Sequence, residues 1–202
     1  MKIYNCSDYD FNSIELNKPI KQLDFYASNI EIFLQTPKIT INKINNNYAI
    51  LDINDSFENF LVNFDNYIME QLSKNSEKLF KEHYSLDDIE EIYKSSIKIK
   101  KNKTNSFKAL YSNKLNIFNK HKDKLTISDL HNSDNVICLI KCSKIIYYKT
   151  FCMPYWEILQ IKVKEEKIQQ GIYLFKEDIN DNYIEKEENE QSLKLKLLNL
   201  DN

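Results

Sequence analysis

The sequence predicts an α+β domain, mainly β, whose strands flank an inserted helical segment at about residues 55–94. Three observations carry this. Apolar residues follow extended patterns up to Ile53 and again after Asn105. Between those limits they switch to a spacing of three and four, the period of a helix. The third is size: 202 residues with 42% hydrophobic and 12% aromatic content suffice for one core, while two full domains would be cramped.

In chain order, Phe25 to Gln35 reads as a strand ending at Thr36 and Pro37, and Tyr48 to Ile53 as another after the turn-prone Asn45, Asn46 and Asn47. Phe57, Phe60, Leu61, Phe64, Ile68 and Leu72 then share one helical face, which predicts a helix of about five turns with Asp55 or Ser56 as N-cap. Shorter helices are expected over Ser76 to His83 and Leu86 to Tyr93, the latter opened by Ser85 and Asp88 at capping-box spacing. After a basic linker from Ile97 to Asn105, strands return at Phe107 to Phe118, Val136 to Tyr148 and Tyr155 to Val163. His121 to Asn135 is polar around Leu125 and Ile127, the pattern of a hairpin or small strand. Alternation in the last strand puts Tyr155, Leu159, Ile161 and Val163 on one face and Trp156, Ile158, Gln160, Lys162 and Lys164 on the other. Trp156 is then either a core residue or an exposed ring beside two lysines. The domain is expected to span residues 1–175, followed by a partly mobile tail at 176–202, acidic and then leucine-rich.

Charge is segregated along the chain although the net is only −2. Residues 1–93 carry 8 Lys against 16 acids, residues 94–149 carry 13 Lys against 3, and residues 165–202 carry 5 Lys against 10. The middle block is thus +10 between acidic flanks, the footprint of a face that meets a polyanion. Lys98, Lys100, Lys101 and Lys103 by themselves could equally solvate a loop. Around Lys108, Tyr111, Lys114, Lys141, Lys144, Tyr147, Tyr148 and Lys149, however, the cations alternate with aromatics, and a binder of single strands needs both: ammonium groups for phosphates and π-faces for bases.

All 28 basic residues are Lys. Without a guanidinium fork, bidentate reading of guanine is lost, so sequence-specific duplex recognition is disfavoured. The bias toward Lys, Asn and Ile fits an AT-rich coding genome. A single Gly, Gly171, excludes the usual phosphate-cradling loops. His83, His121 and His131 form no helical pair, and Cys138 and Cys142 lack a partner pair for zinc, so no metal, cofactor or catalytic residue is expected. Asp87, Asp88, Glu90 and Glu91 are accounted for by a helix N-terminus. No apolar run suits a signal peptide or a membrane span, which predicts a soluble, intracellular protein with Cys6, Cys138, Cys142 and Cys152 reduced.

The order of strands, helical insertion, basic strands, long strand pair and acidic stretch resembles the phage-like OB-fold single-stranded DNA-binding proteins of giant nucleocytoplasmic DNA viruses. The resemblance is carried by Phe33 to Lys38, by Phe107 to Tyr111, and by Ile140 to Tyr147 with Tyr155 to Val163 inside the run Cys138 to Val163. It implies an OB-like Greek-key barrel with a flanking helix and a groove for single strands. It also implies an acidic C-terminal segment that competes with DNA and recruits replication proteins. The chain departs from that pattern where Glu185, Glu187, Glu188 and Glu190 are followed by a leucine-rich end.

The expectation is a non-enzymatic protein that binds single-stranded DNA without sequence preference, serving replication, recombination or repair, in the host cytoplasm or viral factory if viral. Lys108, Tyr111, Lys114, Lys141, Lys144, Tyr147, Tyr148, Lys149, Trp156 and Lys162 are its candidate contacts. Expected partners are single-stranded DNA and, for the acidic segment, replication proteins, with a homodimer left open and no membrane. The alternative is a structural or adaptor protein, a virion component or replication scaffold, whose basic block meets an acidic partner.

Overall fold

The computed structural model describes residues 2–101 and 103–164. The tail expected at 176–202 lies outside the described residues. Strands β1 (Tyr4–Asn5), β2 (Ile20–Lys21), β3 (Tyr26–Gln35), β4 (Ile39–Ile44) and β5 (Tyr48–Asp52) precede helices α1 (Asp55–Lys74), α2 (Ser76–Phe80) and α3 (Leu86–Ile92). Then come β6 (Ile97–Lys98), β7 (Ser106–Leu110), β8 (Asn116–Phe118), β9 (Lys124–Leu125), β10 (Asn135–Tyr147) and β11 (Cys152–Val163).

Five strands close a ring. β10 pairs with β4, β4 with β5, β5 with β7, β7 in parallel with β11, and β11 back with β10. This is the OB-like barrel, here with its helices inserted between the second and third strands of the ring. β3 and β4 both lie against β10, on either side of a corner at Thr36, Pro37 and Lys38. Pro37 has no N–H to give the ladder. Thr36 makes up the pairing at the corner: its N–H donates to the Cys138 carbonyl at 2.9 Å and its buried hydroxyl accepts from the Cys138 N–H at 2.9 Å.

Helix α1 buries Phe57, Phe60, Leu61, Phe64, Ile68 and Leu72, the face its spacing predicts. Its cap is Asn54 and neither Asp55 nor Ser56: the Asn54 side-chain oxygen accepts from the Phe57 N–H at 3.0 Å, leaving Asp55 in the first turn where the helix dipole favours it. The apolar face meets barrel interior rings, with Phe64 5.1 Å from Trp156 and Phe57 5.3 Å from Phe107. α2 stops at Phe80, short of the expected His83, because Lys81 turns left-handed at φ 70°. α3 opens with the predicted Ser85–Asp88 capping box.

The short strands β1, β2 and β6 were not anticipated, and the strands differ from their sequence-based expectation in three larger ways. β4 was not anticipated, and Phe107 to Phe118 is split into β7 and β8. The largest difference is in β11, where strict alternation fails. Gln160 pairs with Leu139 and Ile158 with Ile140, so Leu159 is an extra residue on β11. A bulge of this kind exchanges the faces. Trp156 and Ile158 therefore point inward ahead of it, and Ile161 and Val163 after it.

Asp65 is a buried carboxylate on α1. It accepts from the Tyr93 hydroxyl at 2.8 Å, the Ser95 hydroxyl at 2.8 Å, and the Ser96 N–H and hydroxyl at 2.8 and 2.9 Å. Ser96 in turn accepts from Trp156 Nε1 at 3.0 Å, so one carboxylate ties α1 to the strand-entry segment and to β11. Burial pushes the Asp65 carboxyl above the usual 3.8, against the opposing pull of its hydrogen bonds. The folded state then holds its proton longer than the unfolded chain. Stability from this group is highest below the unfolded value and falls as pH rises through the folded one. In urea titrations from about pH 4 upward, Asp65→Asn is expected to gain on the wild type with rising pH. A constant difference across that range would show that Asp65 is ionised throughout.

Candidate nucleic-acid interface

The outer surface of the barrel carries a row of half-buried side chains set by strand register. Tyr48 on β5 pairs with Leu110 on β7, Leu110 with Glu157 on β11, Glu157 with Lys141 on β10, and Lys141 with Phe33 on β3. Their chain neighbours Ala49, Ala109, Trp156, Ile140 and Leu34 are all buried inside. Five strands thus bring one ring, one aliphatic, one acid, one cation and a second ring into a line. Beside it, Lys43 pairs with Ile50 and Ile50 with Lys108.

A second bulge puts Lys144 on this face. Cys142 pairs with Trp156 and Lys144 with Tyr155, which makes Ser143 the extra residue on β10. Lys141 and Lys144 would face opposite sides of a regular strand. The bulge gives them the same side.

Each of three lysines lies over a ring. Lys108 Nζ is 4.1 Å from the Tyr48 centroid, Lys141 Nζ 4.9 Å from Phe33, and Lys144 Nζ 4.7 Å from Tyr155. Such contacts are worth about 0.5–1 kcal/mol at exposed sites, so the ammonium groups are held loosely. Lys141 also meets Glu31 at 3.1 Å, but that carboxylate is largely in water and the pair is weak. Among the described residues, neither Lys108 nor Lys144 pairs with a carboxylate.

The same face continues into a groove of about 520 Å³. There Lys162 stands between Ile137 and Phe118, Leu139 between Gln35 and Gln160, and Lys122 and Lys164 add charge at the wall.

Of the ten residues singled out in the sequence, the structure brings Lys108, Lys141, Lys144 and Lys162 to this face. Lys114 is exposed on the loop between β7 and β8. Tyr148 and Lys149 are exposed at the tip of the β10–β11 hairpin. Three rings turn inward. Trp156 is 4% exposed between Phe64 and Phe107. Tyr147 is buried against Phe80, and its hydroxyl donates to Ser28 at 3.1 Å. Tyr111 donates its hydroxyl to the Asn45 carbonyl and its N–H to Asn47, clasping the β4–β5 turn. Burial pushes both tyrosine hydroxyls upward in pKa, and likewise the thiols, with Cys138 at about 12.

Tyr48, Phe33 and Tyr155, all half-buried, supply the outward-facing rings instead. Sequence alternation had grouped Tyr155 with Leu159, Ile161 and Val163, of which Ile161 and Val163 are buried, and gave no signal for Tyr48 or Phe33, which meet the lysines through partners on other strands. Among the described residues no three His, Cys, Asp or Glu side chains gather to hold a metal, and no helix is long and apolar enough to cross a membrane.

Solved structures similar to this chain include the single-stranded DNA-binding protein from bacteriophage Enc34 in complex with single-stranded DNA, at 12% identity and TM-score 0.46, covering 78% of this chain and 99% of that one. A second structure of the Enc34 single-stranded DNA-binding protein matches at 13% identity and TM-score 0.42, over 84% and 99%. Its C-terminal truncation matches at 11% and 0.41, over 80% and 98%. Values this low leave the function to be read from the chain's own surface. No curated protein matches. Residues 37–177 match a family described as a family of unknown function (DUF5871).

Proposed function

The chain belongs to the family of unknown function DUF5871, and from that premise, which names no activity, we propose that it binds single-stranded DNA without sequence preference. The carrying observation is the set of three lysines lying over Tyr48, Phe33 and Tyr155 on one barrel face. A ring covered by a mobile ammonium offers a stacking platform with a phosphate partner beside it. On binding, a base takes the ring face and the ammonium moves out to the backbone. Only an unpaired base can do this, because duplex pairing and stacking hide the base faces. Lys162, and at the loops Lys114 and Lys149, extend the phosphate track, while Tyr111, Tyr147 and Trp156 act through the fold beneath it. The absence of arginine supports sequence indifference. The biological setting we assign is the holding of single strands during replication, recombination or repair, in a virus if the sequence resemblance extends to origin.

Fluorescence anisotropy of a labelled poly-dT strand of about 30 nucleotides tests this. Affinity should fall with salt by about 0.7 log units per log unit for each phosphate neutralised, and duplex should compete poorly. A flat salt response would sink the proposal and favour an adaptor with an acidic protein partner.

A further inference from the structure

A second cleft lies off the barrel face, between the β10–β11 hairpin tip, the β2–β3 segment and helices α2 and α3. Its volume is about 860 Å³. That is within the range of sites that enclose small molecules. Among the described residues seven aromatic rings line it, and its charged lining residues are Lys18, Lys21, Lys149 and Asp24, with Lys94 Nζ 3.3 Å from the Phe151 centroid and the Glu82 carboxylate accepting from the Tyr84 hydroxyl at 2.7 Å. Tyr148 and Phe151 stack at 4.6 Å, and Phe25 stands 5.7 Å from Tyr148. The hairpin holds these rings in place through the Tyr148 N–H, which donates to the Phe151 carbonyl at 2.8 Å.

The mouth is unusually apolar for a surface in water: Leu23 is 95% exposed, Tyr26 48% and Tyr148 41%. An aliphatic peptide would cover them but bring no counter-charge to the lysines. A nucleotide satisfies both, with its base against the rings and its phosphates against the ammonium groups.

The cleft is also continuous with the barrel face. Lys144 Nζ is 4.7 Å from Tyr155 on that face and 5.8 Å from Phe25 in the cleft. We propose that the cleft takes one unstacked base of the strand that lies on the barrel, with Lys21 and Lys149 on its flanking phosphates. This rests on single-strand binding by the barrel. The barrel is then a track, and the cleft gives it a distinct end.

The test uses the full chain and poly-dT strands carrying a single 5-iodouracil at successive positions, cross-linked by light and mapped by peptide mass. Cross-links to Tyr148, Phe151 or Tyr26 are expected, from iodouracil near one end of the strand only. Tyr148→Ala, at an exposed hairpin tip outside the buried core, should weaken poly-dT binding about tenfold, the worth of one stacked base. Cross-links confined to Tyr48, Phe33 and Tyr155, with Tyr148→Ala binding like the wild type, overturn the cleft and leave the barrel reading standing. If Tyr148→Ala instead loses only the capture of an acidic peptide, the cleft is a protein site and the inference fails. A wild-type chain that binds no strand removes the barrel reading and this inference with it.

Discussion

Replacing Lys108, Lys141 and Lys144 together by alanine is expected to weaken poly-dT binding about a hundredfold at about 0.1 M salt, and hardly at all near 1 M. Each phosphate contact on a single strand contributes about 0.7 to the salt slope, so three lost contacts lower the slope by about 2. That is about two decades of affinity at 0.1 M, vanishing where the salt itself competes fully. The same triple change should leave thermal unfolding nearly where it was. The three lysines are solvent-accessible, and their ring contacts are worth under about 1 kcal/mol each. A variant that binds as tightly as the wild type at low salt would move the phosphate track elsewhere on the molecule. One that melts early would mean that these cations support the barrel, and binding would then need re-measuring on single substitutions.

Trp156→Ala is expected to cost about 3–5 kcal/mol in urea unfolding, the loss typical of deleting a large buried ring. Trp156 lies 5.1 Å from Phe64 and 5.7 Å from Phe107, and its Nε1 donates to Ser96, itself bound to Asp65. The substitution opens a cavity and disturbs a hydrogen-bond network at once. A loss of that size approaches the whole stability of an ordinary domain, so Trp156→Phe is the companion variant. It should lose less stability and keep poly-dT affinity. The emission of this single tryptophan should change little when poly-dT binds. Strong quenching, or a stable Trp156→Ala that no longer binds, would place the ring at the interface and contradict its role in the core.

Much of the architecture was legible from the residues. The shift from extended to helical period at Asp55 marks the insertion, and the α1 stripe from Phe57 to Leu72 is buried as its spacing requires. The Ser85–Asp88 capping box is local chemistry and is present as read. The charged part of the face was also visible, since Lys108, Lys141, Lys144 and Lys162 stand out from a block of +10. The aromatic part was misplaced. Tyr147, Trp156 and Tyr111 alternate with lysines in the sequence, yet all three are buried.

For Tyr147 and Trp156 the reason is the two bulges, whereas Tyr111 follows the unbroken alternation of β7, in phase with the buried Phe107 and Ala109. A strand read alone has a period of two, and one inserted residue reverses everything beyond it. Ser143 and Leu159 are such residues, and nothing in their side chains announces it. The rings that do face out, Tyr48, Phe33 and Tyr155, come from β5, β3 and β11 and meet the lysines only through pairings between distant strands.

The sequence by itself determined the fold class, the helical insertion, the placing of its capping box and the cationic character of one region, because periodicity, capping and charge are properties of neighbouring residues. Which rings accompany those cations was decided only by the tertiary structure. Ring closure by β10 and β11, and the bulges within that pair, set the register of five strands, and register alone selects the side chains that share a face.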